Sequence, residues 1–201
     1  MGWMASWIAV QGASKGDLLN ELGLAEVQEL VEPGSGAAVF SLSERSDGWL
    51  IVFLEDADWA AGDDVAELSR LGLMVGCQIN DKVDMDSAAW AARDGREIWR
   101  GAYRSTSKGD RLESSGSPPP EFESIRSAAL REQEEAGGDG AGVAYLFDVP
   151  LDVASAACGY RMDVDPSCFV RLERSRSAAA PPREPAFGWL ARLFGGHKDR
   201  A

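Results

Sequence analysis

Histidine is nearly missing from this chain: one occurs in 201 residues, His197, close to the C-terminal end of the sequence. A mechanism that needs an imidazole in a folded core therefore has no candidate. No Ser-His-Asp triad, Cys-His pair or histidine metal site is expected. Cysteine is scarce too. Cys77, Cys158 and Cys168 are odd in number and lack metal-ligand spacing, which predicts free thiols in a reducing cytoplasm rather than a disulfide framework. Cys77 ends the apolar run Leu73-Met74-Val75-Gly76-Cys77, the setting of a small buried hydrophobe. No apolar run approaches the roughly 20 residues that span a bilayer. The first ten residues are apolar but have no positive flank, the first cation being Lys15, so no secretory signal is expected. A glycine-rich phosphate loop is lacking as well. Gly34-Ser35-Gly36 is too short for one and carries no lysine, and no cofactor is expected.

Acid is what the chain has in excess. The net charge is −13, unevenly placed: residues 1–163 hold 13 Lys and Arg against 29 Asp and Glu, residues 164–201 hold 7 against 4. An acidic body repels phosphate backbones, so nucleic acid is not an expected partner; a basic protein partner or plain solubility explains the charge equally well.

Local patterns give most of the elements. Met4 to Gln11 reads as a strand. Ser14 with Asp17 has capping-box character, and Leu18, Leu19 and Leu22 followed by Gly23 make a short helix with a glycine stop. Ala37 to Leu42 and Trp49 to Leu54 read as strands around the Ser46-Asp47-Gly48 turn. Leu50 to Leu54 is continuously apolar, which predicts a central strand covered on both faces. A helix is expected from about Asp64 to Leu71 and a strand from Leu73 to Asn80.

Asp94-Gly95 is a favoured two-residue hairpin turn between Val83–Ala92 and Glu97–Arg104. That register sets Trp90 opposite Trp99 and Ala88 opposite Gly101. A last strand follows from Arg111 to Ser115. Pro118 to Pro120 introduce the longest helix, to about Ala136, with Phe122, Ile125, Ala129 and Leu130 as its buried stripe. Val143 to Phe147 reads as a short strand, and Asp148 as the cap of a helix from Pro150 to Cys158 that Gly159 ends.

Two acidic clusters are the candidate surfaces. Glu55, Asp56, Asp58 and Asp63 surround Trp59, and an aromatic ringed by carboxylates suits a cationic partner. Loop and capping roles suffice for most of these carboxylates, and ordinary packing accounts for the tryptophan. Asp84 and Asp86 fall on one face of a strand, since side chains alternate with period two. They are the candidate ligands for a divalent metal, or else charges that protect a strand from edge pairing. The tail supplies a third candidate. Residues 164–185 read as a flexible Pro/Ala/Ser/Arg linker. Residues 186–201 form a short amphipathic segment with Phe187, Trp189, Leu190, Leu193 and Phe194 as its apolar cluster. Such a segment docks on its own domain, in a partner's groove, or on a membrane surface.

Trp7-Ile8-Ala9-Val10-x-Gly12, Asp47-Gly48-Trp49, Cys77-Gln78, Asp94-Gly95 with Trp99, Pro119-Pro120-x-Phe122 and Tyr145-x-Phe147-Asp148-x-Pro150 through Gly159-Tyr160 carry a resemblance. Over residues 5–163 the chain resembles a group of bacterial proteins for which no activity is established. The resemblance implies preservation of a fold and assigns no catalytic residue.

These features predict a single α+β domain over residues 1–163, a mostly antiparallel sheet with three or four helices. The leading functional expectation is a cytoplasmic, non-catalytic protein-binding module, of the immunity or inhibitor type by analogy. The alternatives are an enzyme with a carboxylate-bound divalent metal and an adaptor docked through its C-terminal segment.

Overall fold

The computed structural model describes residues 2–33, 39–82, 85–105, 110–138, 142–165 and 168–175, with the side chain of Asp63 excepted. Among them nine strands form one antiparallel sheet in the order β2-β9-β3-β4-β1-β5-β6-β7-β8. The strands are β1 (Met4–Gln11), β2 (Leu24–Val31), β3 (Phe40–Glu44), β4 (Trp49–Leu54), β5 (Leu73–Asn80), β6 (Asp86–Arg93), β7 (Arg96–Arg104), β8 (Arg111–Gly116) and β9 (Phe169–Arg174). The α-helices among the described residues are α1 (Lys15–Leu22), α2 (Asp63–Ala66), α3 (Glu121–Glu135) and α4 (Val149–Cys158). Single 3-10 turns stand at Trp59–Ala61, Glu67–Arg70 and Tyr145–Phe147. The fold is α+β, as the sequence predicts. No helix among the described residues is long and apolar enough to cross a membrane.

Both faces are buried at the middle of the sheet, which is why its strand β4 is apolar throughout. On β4 all six residues are buried. Period-two alternation sends Trp49, Ile51 and Phe53 to one core and Leu50 and Val52 to the other. The first core is roofed by α3, α4 and the turn at 145–147, and the second by α1, α2 and the turns at 59–61 and 67–70. Local chemistry fixes α1 at both ends. The Ser14 side chain accepts from the Asp17 amide at 3.1 Å, and Gly23 adopts φ 64° beyond the last turn.

Four expectations need correction. First, the hairpin register shifts within β7. Arg93 pairs with Arg96 and Ala92 with Glu97, but Ala91 then pairs with Trp99 and Trp90 with Arg100. Ile98 is the extra residue of a bulge, and an extra residue reverses which side chains share a face. Trp90 and Trp99 therefore enter opposite cores. The room exists on both sides. Trp90 lies over Gly76 of β5 and beneath Arg100, whose guanidinium sits 4.8 Å from the ring centroid. Trp99 pairs with Gly116 of β8, whose φ is 74°.

Second, the sheet does not end near residue 163. β9 lies inside the segment expected to be linker and pairs with both β2 and β3. Phe169 enters one core, edge-on to Phe53 at 6.3 Å, and Leu172 enters the other. Arg171, Glu173 and Arg174 interrupt the apolar pattern and hide the strand in the sequence. Third, Val143 to Phe147 is not a strand; its last three residues make a 3-10 turn. Fourth, Leu130 is exposed on α3, whose buried side chains are Phe122 and Gln133.

Candidate functional site

The acidic loop after β4 is built outward from a buried serine. Ser6 on β1 faces Leu54 in the β1–β4 ladder and has no exposed surface. Its hydroxyl donates to the Asp56 carbonyl oxygen at 2.5 Å and accepts from the Ala60 amide at 3.1 Å. One Asp56 carboxylate oxygen accepts from the Asp58 amide at 2.9 Å. The loop is thus tied to the central strand at two backbone points and braced by one of its own side chains. Trp59 sits half-buried, edge-on to Phe40 at 5.2 Å, and packs against the core that α1 covers.

The packed body of Trp59 and the outward carboxylates of Asp56 and Asp58 are brought together in one loop, with Asp64 exposed on the helix that follows. Asp56, Asp58 and Asp64 have no cationic partner among the described residues. The ion pair of this segment joins Glu67 and Arg70 at 2.6 Å, one turn on. Glu55 is half-buried at the end of β4. Asp63 starts α2, and its side chain lies outside the described residues.

The other predicted sites are not assembled. Asp84 lies outside the described residues, and Asp86 opens β6, half-buried, in register between Asn80 and Arg104. No group of three or more His, Cys, Asp or Glu among the described residues is arranged to hold a metal ion. Phe187, Trp189, Leu190, Leu193 and Phe194 lie outside the described residues.

Groups with nucleophilic potential are mostly held neutral by burial. The Cys77 thiol is pushed far up, and the Cys158 thiol to about 12, in both cases by burial first. Burial likewise raises the Tyr103 phenol to about 12 and the Tyr160 phenol further. A thiol or phenol that stays protonated at neutral pH is a poor nucleophile. Cys168 is the exposed thiol among the described residues.

An ion-pair clamp escaped the sequence reading. Arg161 binds Asp148 at 3.1 Å and Asp163 at 2.8 Å, and also Asp152. Arg45 reaches Asp47 at 3.4 Å and also Asp165. Burial works against both guanidinium charges, yet the surrounding carboxylates raise both pKa values. Asp152 is shifted upward, chiefly by burial and against the pull of Arg161. Asp148 occupies the N-cap position of α4 without a side-chain capping bond, because its carboxylate serves Arg161 instead. The spacing of Asp148 and Asp152, one helical turn apart, was the available signal; the partner at Arg161 was not readable locally.

No family model, no curated protein and no solved structure matches the chain.

Proposed function

We propose that this protein is a cytoplasmic, non-catalytic protein-binding module that presents the acidic loop around Asp56, Asp58 and Trp59 to a basic partner. One observation carries the reading: Ser6 fixes the loop backbone from below, so unneutralised carboxylates beside an aromatic are held in a set geometry before any partner arrives. A preformed loop loses less conformational entropy on binding than a mobile one. Carboxylates without internal cations steer a basic surface toward them, and Trp59 offers an apolar and cation-binding edge at their centre. The burial-raised thiols and phenols favour binding over nucleophilic chemistry. The excess of acid over the body disfavours a phosphate-backbone partner. An inhibitor that masks a basic surface fits this description.

Quantitative affinity capture with the full chain tests it, comparing the wild type with an Asp56→Lys, Asp58→Lys double variant. The expected result is a discrete basic protein enriched by the wild type, with enrichment reduced about tenfold or more by charge reversal and by added salt. Capture that ignores both the substitutions and the salt counts against the proposal.

A further inference from the structure

A second surface stands at the other side of the fold's chain order, where β2 ends. A cleft of about 570 Å³ opens there between Leu30–Pro33 on one side and Met162–Asp165 with Cys168 on the other. Two aliphatic side chains on its wall are strongly exposed, Leu30 at 71% and Val164 at 72%. Its charged lining residues are Glu32, Asp163 and Asp165, all carboxylates. The neighbouring guanidiniums do not cancel them, because Arg161 is shared among Asp148, Asp152 and Asp163, and Arg45 between Asp47 and Asp165. An apolar wall with an acidic rim calls for an occupant that is apolar and basic.

The chain carries such an occupant within reach. Residues 176–201 hold Arg176, Arg183, Arg192, Lys198 and Arg200 against Glu184 and Asp199, and they contain Phe187, Trp189, Leu190, Leu193 and Phe194. The described chain leaves β9 at Ser175, whose amide donates to the Gly23 carbonyl at 2.8 Å. Leu30 and Val31 pair with Val170 and Phe169, at the far end of the same ladder. The cleft is therefore about 17 Å back along β9, at about 3.3 Å per residue. Residues 176–186 span up to about 35 Å when extended, so the apolar cluster reaches the cleft.

We propose that this cleft is the seat of the chain's own C-terminal segment. Residues 187–194 cover Leu30 and Val164, and the segment's cations face Glu32, Asp163 and Asp165. This surface is distinct from the Asp56–Trp59 loop and does not depend on the reading of that loop.

Cys168 lines the cleft and is exposed, which supplies a built-in probe. In the full chain carrying Leu190→Cys, a dithiol oxidant such as diamide removes two hydrogens and joins Cys168 to the introduced thiol. Cys77 and Cys158 are buried and do not compete. Mass spectrometry of the unreduced, digested monomer reads the rate of that bond. Docking predicts fast intramolecular bonding that Leu30→Glu, and separately Val164→Glu, slow about tenfold or more, because only the tether's effective concentration remains. Both substitutions are at exposed sites, and circular dichroism verifies that each variant keeps its fold. Bonding at an unchanged rate in both variants, or disulfide-linked dimers as the main product, overturns the proposal.

Discussion

Trp90 is wedged between a glycine and an arginine. Gly76 lies opposite it in the β5–β6 ladder, and a Cβ at that position would stand 2.4 Å from the indole ring. Arg100 covers the other side of the ring. Because β5 is an interior strand, neither the ring nor the backbone has space to withdraw. Gly76→Ala is therefore expected to destabilise the protein by about 1–3 kcal/mol, the usual range for overpacking a core, as measured by the urea midpoint. A neutral substitution would mean that Trp90 does not rest on that glycine.

The buried thiols and phenols also make a pH prediction. Their folded-state pKa values lie above the ordinary values of 9.0 for the thiols of Cys77 and Cys158 and 10.0 for the phenols of Tyr103 and Tyr160. Above those ordinary values the unfolded chain releases protons that the folded chain keeps, so unfolding becomes more favourable as pH rises. Stability from these groups is complete below about pH 9 and declines as pH climbs toward 12. Urea midpoints that are level from about pH 7 to 8.5 and fall between about 9.5 and 11 are expected. A level profile to pH 11 would place these groups in contact with solvent.

At the scale of elements, the legible parts were those whose signals are local. β1, β4 and β5 take the bounds their apolar runs predict, and α1 follows from Ser14, Asp17 and Gly23. β9 was hidden because its meaning is not local. Phe169 and Leu172 are its two buried side chains, each in a different core, and the strands it joins lie more than a hundred residues earlier. The bulge at Ile98 was hidden for a related reason: Asp94-Gly95 sets the turn, whereas the demand for Trp90 and Trp99 in separate cores comes from the packed sheet. The acidic loop was legible as composition, but its support was not, since Ser6 sits some fifty residues before the groups it holds.

Truncation separates the two domain ends. A chain stopped after Asp163 lacks a strand that two others require and is expected to fail to fold cooperatively. A chain stopped after Ser175 keeps β9 and is expected to unfold in one cooperative transition, with a urea midpoint below that of the full chain only by what docking of the tail contributes. Cooperative folding of the shorter chain would remove β9 from the core. Ser6 offers a finer test. Ser6→Ala leaves the Ala60 amide and the Asp56 carbonyl without their partner and is expected to cost about 1–3 kcal/mol, read by chemical denaturation. It should also speed amide hydrogen exchange in the loop after β4.

Across the whole molecule, charge is divided between an acidic body and a basic final segment. That division gives two surfaces with opposite consequences. On the two proposals, the loop at Asp56–Trp59 offers carboxylates without an ion-pair partner among the described residues to another protein, while the cleft beside β2 receives cations of the chain's own final segment. Charge reversal at Asp56 and Asp58 is expected to weaken the partner without altering the bond between Cys168 and the tail. Leu30→Glu is expected to do the reverse.

In the proposed function, the partner binds on the loop after β4. Amide hydrogen exchange of the full chain, alone and with the captured basic protein, tests it most directly. Added protection concentrated in residues 55–64 is expected. Protection confined to other segments, with 55–64 unchanged, would contradict it.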